Sequence, residues 1–594
     1  MALYSDPRLR RVRYEQLAGK MISDRQGGGF DGHWRELGDW TMPRRTRFWT
    51  GEKNRTGVGF NRNIINSTAR FSARTLSSGL HAGLTSPARP WMKLTTHDPQ
   101  LAKRKNVATW LHDVSSRMLT LFATTNLYNV LPLVYLDMGI FATAGMAIVP
   151  DKRDLFRCFS YPIGSFAIAQ DDRGKTSTFT REYELSVEQI VEQFGVLDNG
   201  RDIDWSRISN HVKSLWDSGD YQQSIPLVWM VKRNEQADAR KLASKYLPFS
   251  SCYWEKGNEE RIFLKESGYN NFPIMAPRWD ITGEDSYGTD SPGMIALGDI
   301  KQLQIMERRK GQAIAKFVDP ALKGPSSLRK QKTSLLPGDV TYVDVREGMQ
   351  GLAPIHEIRL EGVRFLSDDA HGVEYRIQRA FYEDLFLMLA RSDDGRGQQP
   401  ATAREIDERH EEKLLALGPV LERTNDELLD PIVDRTFSMM VAANMIPPPP
   451  QELQGVRLKV EYISILSQAQ KLVGVTGQDR FLQTTLGLAE VYPQVRNKVN
   501  VNKVVNNYAD MLGVDPEIVY SDEQADATTQ QQAQAAQEAQ DAETAQKVAK
   551  AARDASQAPV TGDSALNAMV TAAGRGNQIP AQASGSAPVQ VPAA

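Results

Sequence analysis

Apolar residues recur at helical spacing in several long segments and at strand spacing in a block between them. Over residues 57–84, Ile64, Ile65, Ala69, Phe71, Leu76, Leu80 and Leu84 fall at spacings compatible with an amphipathic helix. That pattern predicts a helix ending at the Pro87-Ala88-Arg89-Pro90-Trp91 turn. A strand over Trp91–Leu94 follows, then helices over 106–122 and 128–138 and a strand of small and β-branched residues over 144–149. From Phe156 to Tyr183 the pattern is strand-like. Asp171-Asp172-Arg173-Gly174 reads as the turn of a hairpin between Phe166-Ala167-Ile168 and Ser177-Thr178-Phe179. A helix near 186–194, strands near 224–234 and 260–265, and an extended run over Ile274–Trp279 complete a mixed α/β region that ends near Gly293.

The second half reads as helices around a small insertion. Residues 294–316 form a helix through Ile295, Leu297, Ile300, Leu303, Ile305 and Met306, with a cationic face at Arg308, Arg309 and Lys310 and a stop at Asp319-Pro320. Ala321–Leu366 carries strand signals at Val340–Val345, turns at Pro337-Gly338 and Glu347-Gly348, and clustered cations Lys323, Arg329, Lys330 and Lys332. Another apolar-periodic helix covers Val373–Leu389. The loop Ser392-Asp393-Asp394-Gly395-Arg396-Gly397-Gln398-Gln399-Pro400 then redirects the chain, its glycines permitting the reversal.

Thr402 and Glu405 form a capping box for a long helix, whose stripe is Ile406, Leu414, Leu417, Leu421, Leu428 and Ile432. Running to Ile446, about 40 residues, it would span roughly 60 Å. Gly418-Pro419 and Pro431 are expected to bend it. Pro447–Pro450 stops it; a strand at 458–462 and two or three helices through Asp522 follow. Residues 523–556 are Ala, Gln, Glu, Asp and Lys with hardly any large apolar side chain, a helix that needs neighbours. Residues 557–594 are rich in Ala, Pro, Gly and Ser and read as disordered.

Charge narrows the picture. With 71 basic and 73 acidic residues in 594, the chain is not a duplex-coating DNA binder, so any DNA contact is local. Cys158 and Cys252 lie far apart, supporting neither a disulfide framework nor a zinc site and favouring a reducing compartment. The first twenty residues lack an apolar signal core. The most hydrophobic window, 127–150, is interrupted by Asp137, which favours a buried helix and strand over a membrane span.

Catalytic motifs are missing. The eight histidines (33, 81, 97, 112, 211, 356, 371, 410) show no metal-ligand spacing, and His410-Glu411-Glu412-Lys413-Leu414 has Leu where a zinc-protease helix needs its second His. There is no phosphate-binding Gly-x-x-x-x-Gly-Lys-Ser/Thr loop, and Gly164-Ser165 completes no nucleophile elbow. The acidic pairs 171/172, 368/369 and 393/394 could hold magnesium as nucleases require. Turn formation explains the first and third better, and helix N-capping the second. No cofactor, metal or catalytic residue is expected. Arg391, Arg396 and Arg404 set three positive charges around the Gly-rich tip.

The order of these segments resembles the portal proteins of tailed bacteriophages, the head-to-tail connector family of short-tailed phages. The stretches that carry the resemblance are Gly57-Val58-Gly59-Phe60 before the 64–84 helix, Trp91-Met92-Lys93-Leu94, Asn126-Leu127-Tyr128 through Gly145-Met146-Ala147, Ser286-Tyr287-Gly288, and Pro400-Ala401-Thr402-Ala403-Arg404-Glu405-Ile406. It spans roughly residues 30–520. The resemblance implies an α+β portal-type fold: a wing of 1–293 plus the long helix 402–446, stem helices 294–317 and 367–391, and a β-containing clip 318–366. A tunnel loop at 392–401, a crown at 447–522 and a barrel helix at 523–556 would follow.

It further implies a homo-oligomeric ring, dodecameric in the family, at one capsid vertex of the virion, assembled in the host cytoplasm. Double-stranded DNA would pass its channel during packaging and ejection, against Asp393, Asp394, Gly395, Arg396, Gly397, Gln398 and Gln399. The terminase large subunit, then tail adaptor and nozzle proteins, would dock on the clip; major capsid and scaffolding proteins are further partners, with no membrane. A magnesium-dependent DNA-processing enzyme or an internal scaffolding protein are the alternatives.

Overall fold

In the computed structural model, which describes residues 6–48, 64–102, 104–196, 202–324, 353–354, 360–391, 417–463, 522–556 and a few isolated positions between 484 and 505, the chain opens on two helices. Helix α1 (Pro7–Gly27) is capped by the Asp6 carboxylate, which accepts from Arg8 N–H, and α2 (Phe30–Trp40) follows a left-handed Gly29. Next come α3 (Thr68–Leu84), β1 (Met92–Thr96), a single turn α4 (Pro99–Ala102), α5 (Lys105–Thr124), α6 (Leu127–Phe141), β2 (Gly145–Asp151) and β3 (Leu155–Tyr161). Helix α6 is apolar on nearly every side and sits in the main core, with Leu131, Val134, Tyr135 and Met138 fully buried. Its Asp137, also fully buried, is held by a bidentate pair with Arg45 at 2.7 Å. No single helix among the described residues is long and apolar enough to cross a membrane.

The expected hairpin is present as β4 (Phe166–Gln170) and β5 (Thr176–Ser186). The Asp171 carboxylate accepts from Arg173 and Lys175 N–H while Gly174 takes φ 73°, so this acidic pair makes a turn. Helix α7 (Val187–Ile190) starts with a full capping box between Ser186 and Gln189 and runs into one π turn, Val191–Gly195. After α8 (Asn210–Asp217), strands β6 (Ser224–Arg233), β7 (Phe249–Glu255) and β8 (Lys265–Tyr269) complete an antiparallel sheet in the order β4-β5-β6-β7-β8.

Of the strand expected at 260–265 only Lys265 is strand, as the start of β8, and β7 was not anticipated. Two buried serines, Ser250 and Ser251, break the apolar period of β7; the Ser251 hydroxyl accepts from the Trp229 indole at 2.9 Å. Of the run 274–279 only β9 (Ile274–Met275) is strand, joined to β2 in the order β3-β2-β9, with an isolated bridge between Thr143 and Arg278.

Helix α9 (Pro292–Val318) starts at Ser291, whose hydroxyl accepts from Met294 N–H. The short pair β10 (Leu322–Lys323) and β11 (Ala353–Pro354) leads to α10 (Leu360–Ala380), which begins before the expected boundary at 367, and to α11 (Glu383–Arg391) beyond a left-handed Tyr382. Asp368 and Asp369 are therefore mid-helix and exposed, not N-caps. Helix α3 begins at Thr68 rather than in the range from 57 to 64, and its Phe71, expected on the buried stripe, is 64% exposed. It meets α11 through Gly79, where an added Cβ would lie 2.2 Å from the Phe386 ring.

The described part of the long helix is α12 (Gly418–Thr424), a π turn Asn425–Leu429, and α13 (Asp430–Ala442). Pro419 and Pro431 each sit in the first turn of a helical segment, where no N–H is needed, so the irregularity falls on the π turn between them. Leu417, Leu421, Leu428 and Ile432 are buried as the stripe requires; the segment ends at Ala442, before a left-handed Asn444, rather than at Ile446. Strand β12 (Leu458–Tyr462), in the stretch that the resemblance assigns to the crown, pairs antiparallel with β1, Met92 opposite Tyr462. Trp91 and Tyr462 stack at 6.3 Å.

By contacts the chain divides into two units, Met1–Val499 with Asp510–Gly513, and Asn500–Ala509 with Val514–Ala594. In the second unit, α14 (Asp522–Ser556) matches the expected long Ala/Gln helix. Within the first, a second cluster packs Tyr14, Ala18 and Met21 of α1 on Val228, Met230, Cys252 and Trp254 of the sheet. Both cysteines are buried and unpaired, and burial pushes each thiol up to about 12.

Candidate assembly surface

Helices α9 and α10 lie side by side because each has an apolar stripe facing the other: Ile300 and Leu303 are buried, as are Val373 and Ile377. A polar seam fixes their register. Arg376 on α10 pairs with Asp299 on α9 at 2.9 Å, which raises the Arg376 pKa. The buried Gln304 amide accepts from both Ile65 N–H (2.7 Å) and Asn66 N–H (2.8 Å) and donates to the Asn66 carbonyl (2.8 Å). The Asn66 side chain donates to Glu374 and accepts from Thr68 N–H. These bonds occupy the backbone groups that a helix through 64–66 would use, which is why α3 starts at Thr68.

Beyond Gln304 the stripe loses its cover. Ile305 (49%), Ile314, Phe317 (51%) and Val318 on α9 are exposed, with Phe365 (73%) and Tyr375 on α10. Two antiparallel helices thus present apolar side chains to solvent along one projecting length. Helix α9 is cationic, with Arg308, Arg309 and Lys316 exposed, while α10 carries both signs, exposing Glu361, Asp368 and Asp369 beside Arg364 and Arg379. Lys310, grouped with Arg308 and Arg309 from sequence, is half-buried and pairs with Glu307 at 2.8 Å. Lys323 is exposed on β10. Arg329, Lys330, Lys332 and all of Asp393–Gln399 lie outside the described residues, as do Arg396 and Arg404.

Sequence reasoning missed a charged joint between the sheet and the π turn. Arg278, 2% exposed, grips Glu427 through Nε and Nη2 and donates to the Gly174 carbonyl, while Lys175 pairs with Asp426 at 2.7 Å. One turn further, Arg435 is buried against the Ile148 and Asn271 carbonyls and the Tyr269 ring; burial drops it to about 10. Burial pushes the Asp430 carboxyl up, against the opposing hydrogen bond from the Tyr462 hydroxyl. Only acidic residues four apart (426, 430, 434) were visible in sequence, and such spacing usually marks a solvated helix face. Among the described residues no group of three or more His, Cys, Asp or Glu could hold a metal ion.

A mixed α/β body, a projecting helix pair closed by a small β pair, and a π-broken helix returning to the body make up the described fold, and the chain belongs to the family of bacteriophage head to tail connecting proteins, matched over residues 12–519. It is similar to the portal protein of Salmonella phage epsilon15, 39% identical over 549 residues, which is 92% of this chain and 96% of that protein. It is also 39% identical over 526 residues to a probable portal protein of Bordetella phage BPP-1, covering 87% of this chain and 92% of the relative.

Proposed function

We propose that this chain is a phage portal subunit, without enzymatic activity, whose copies close into a dodecameric ring at one capsid vertex of the virion. The observation that carries the reading is colinear similarity to a portal protein across 96% of that protein's length. The uncovered apolar side chains of α9 and α10 support the ring, since exposed apolar patches suit burial against the next copy. Near-neutral charge suits a channel through which duplex DNA must slide without a brake.

In this reading residues 1–293 and 402–446 form the wing, to which β12 adds a strand, and 294–317 and 367–391 the stem, its second helix starting early at Leu360. The clip, 318–366, receives the terminase large subunit and then the tail adaptor and nozzle through Lys323, Arg329, Lys330 and Lys332. Loop 392–401 lines the channel, where Arg396 and Gln398 touch phosphates weakly. Residues 447–522, which include β12, form the crown, and 523–556 forms the barrel helix. Major capsid and scaffolding proteins surround the wing.

Negative-stain images of the purified full chain test this: rings with an axial hole are expected, and monomers or filaments would overturn it. Incubation with DNA and magnesium should leave the DNA uncut.

A further inference from the structure

The two ends of the five-stranded sheet differ in charge and chemistry. At the end where β5 passes into β6, the connection 187–223 carries seven acidic against three basic residues. Glu192, Asp217 and Asp220 are exposed there and make no ion pair among the described residues. Asp217 and Asp220 adjoin in the chain an aromatic group in which Trp216 lies edge-on to Trp205 at 6.3 Å and to Tyr221 at 4.8 Å, with Tyr221 43% exposed. At the other end, where β6 passes into β7, residues 232–247 carry five basic against two acidic residues. Both of those carboxylates are engaged, Glu235 by Lys232 and Arg13, Asp238 by Lys241. Arg240 and Lys245 are exposed and have no carboxylate partner among the described residues. Between them Leu242 is fully exposed, at 104%.

Strand β6, ten residues long, separates the two ends by about 33 Å. One molecule therefore cannot bring its own loop onto its own aromatic group. We infer that the sheet is a head-to-tail contact element: the Arg240–Lys245 loop of one copy docks on the Trp205, Trp216, Tyr221 group of the next copy of this chain. Leu242 gains apolar cover, Arg240 and Lys245 meet Asp217 and Asp220, and a guanidinium beside the half-buried Trp216 indole and the exposed Tyr221 phenol adds cation–π attraction, as the Lys213 ammonium already does at Trp205. The acidic rim repels nucleic acid phosphates, which leaves a cationic protein surface as the fitting occupant, and this chain supplies one. A contact using two different patches is heterologous, the kind that closes into a ring when the rotation allows. The inference rests on the ring reading above and adds the residues that join one sheet to the next.

The test uses the full chain and measures ring dissociation by mass photometry over a dilution series at low salt. D217K with D220K should weaken association about tenfold or more, and so should R240E with K245E. The four-fold variant, with charges exchanged, should recover to near wild type. L242S, which changes no charge on an exposed loop tip, should weaken the ring too, and it covers the case in which a reversal fails to fold. Rings equally stable in both reversals, or no recovery in the four-fold variant, would overturn the contact while leaving the ring reading intact. A wild-type chain that stays monomeric would overturn the ring reading and the contact with it.

Discussion

The Gln304 side chain binds the backbone of Asn66 from both directions, accepting its N–H and donating to its carbonyl, each at 2.8 Å. A side-chain amide thus acts as a strand partner, tying the entry of α3 to α9. Q304A leaves these backbone groups without partners and should cost about 1–3 kcal/mol. Q304E keeps the acceptor but sets a buried carboxylate against the Asn66 carbonyl, so its loss at neutral pH should be larger than that of Q304A. Thermal unfolding checks the order, and faster amide exchange confined to residues 64–68 separates local release from general loosening.

Glu427 neutralises a guanidinium that is 2% exposed. E427A should destabilise the body by about 3–5 kcal/mol, because Arg278 keeps its charge and loses its partner. Replacing both residues by Met should recover most of that loss in urea unfolding. Equal loss in the single and double variants would count against the pair as the cause.

Asp430 gives a pH signature of definite sign. Burial first, opposed by the Tyr462 hydrogen bond, raises its folded pKa above the ordinary 3.8, so the folded state holds this proton more tightly than the unfolded one. Its contribution is complete below 3.8 and lost as pH rises through the raised value. Asp434 is raised in the same way, by burial and by the Asp430 charge. The stability of D430N relative to wild type should therefore grow as pH rises from 4 to 7. Urea midpoints at matched protein concentration measure it; a gap that shrinks with pH would refute the assignment.

Deleting 394–398 should leave ring assembly intact and reduce DNA packaging or retention. Packaging at the wild-type level would remove this loop from the channel.

Replacing Lys330 and Lys332 by Glu should weaken binding of the terminase large subunit or the tail adaptor to purified rings without changing ring size. Unchanged binding of both would move docking away from these cations.

Helices with a clean apolar period were legible: residues expected at 106–122, 128–138 and 294–316 lie within α5, α6 and α9, and the strand 458–462 matches β12 residue for residue. What failed to show depends on partners distant in sequence. Ser250 and Ser251 hide β7 because their burial is made acceptable by the sheet and, for Ser251, by Trp229. The start of α3 is set by Gln304, well over two hundred residues away. The π turn at Asn425 leaves no mark in the stripe, since Leu421, Leu428 and Ile432 stay buried across it. Of the cations expected on α9, Arg308 and Arg309 are exposed, while Lys310 turned inward through a local pairing that i,i+3 spacing with Glu307 could have suggested.

The pairing of Met92 with Tyr462 also sets a schedule for synthesis. At about 5–20 residues per second, a ribosome needs on the order of 20–70 s after releasing β1 to deliver β12. Throughout that interval the β1 edge and one face of Trp91 await a strand not yet made. A nascent chain cut short before residue 458 would keep an open strand edge, inviting aggregation or chaperone capture. The amino-terminal body is thus finished only after more than three quarters of the 594 residues have been made, and subunits truncated before that point cannot present a completed surface for assembly.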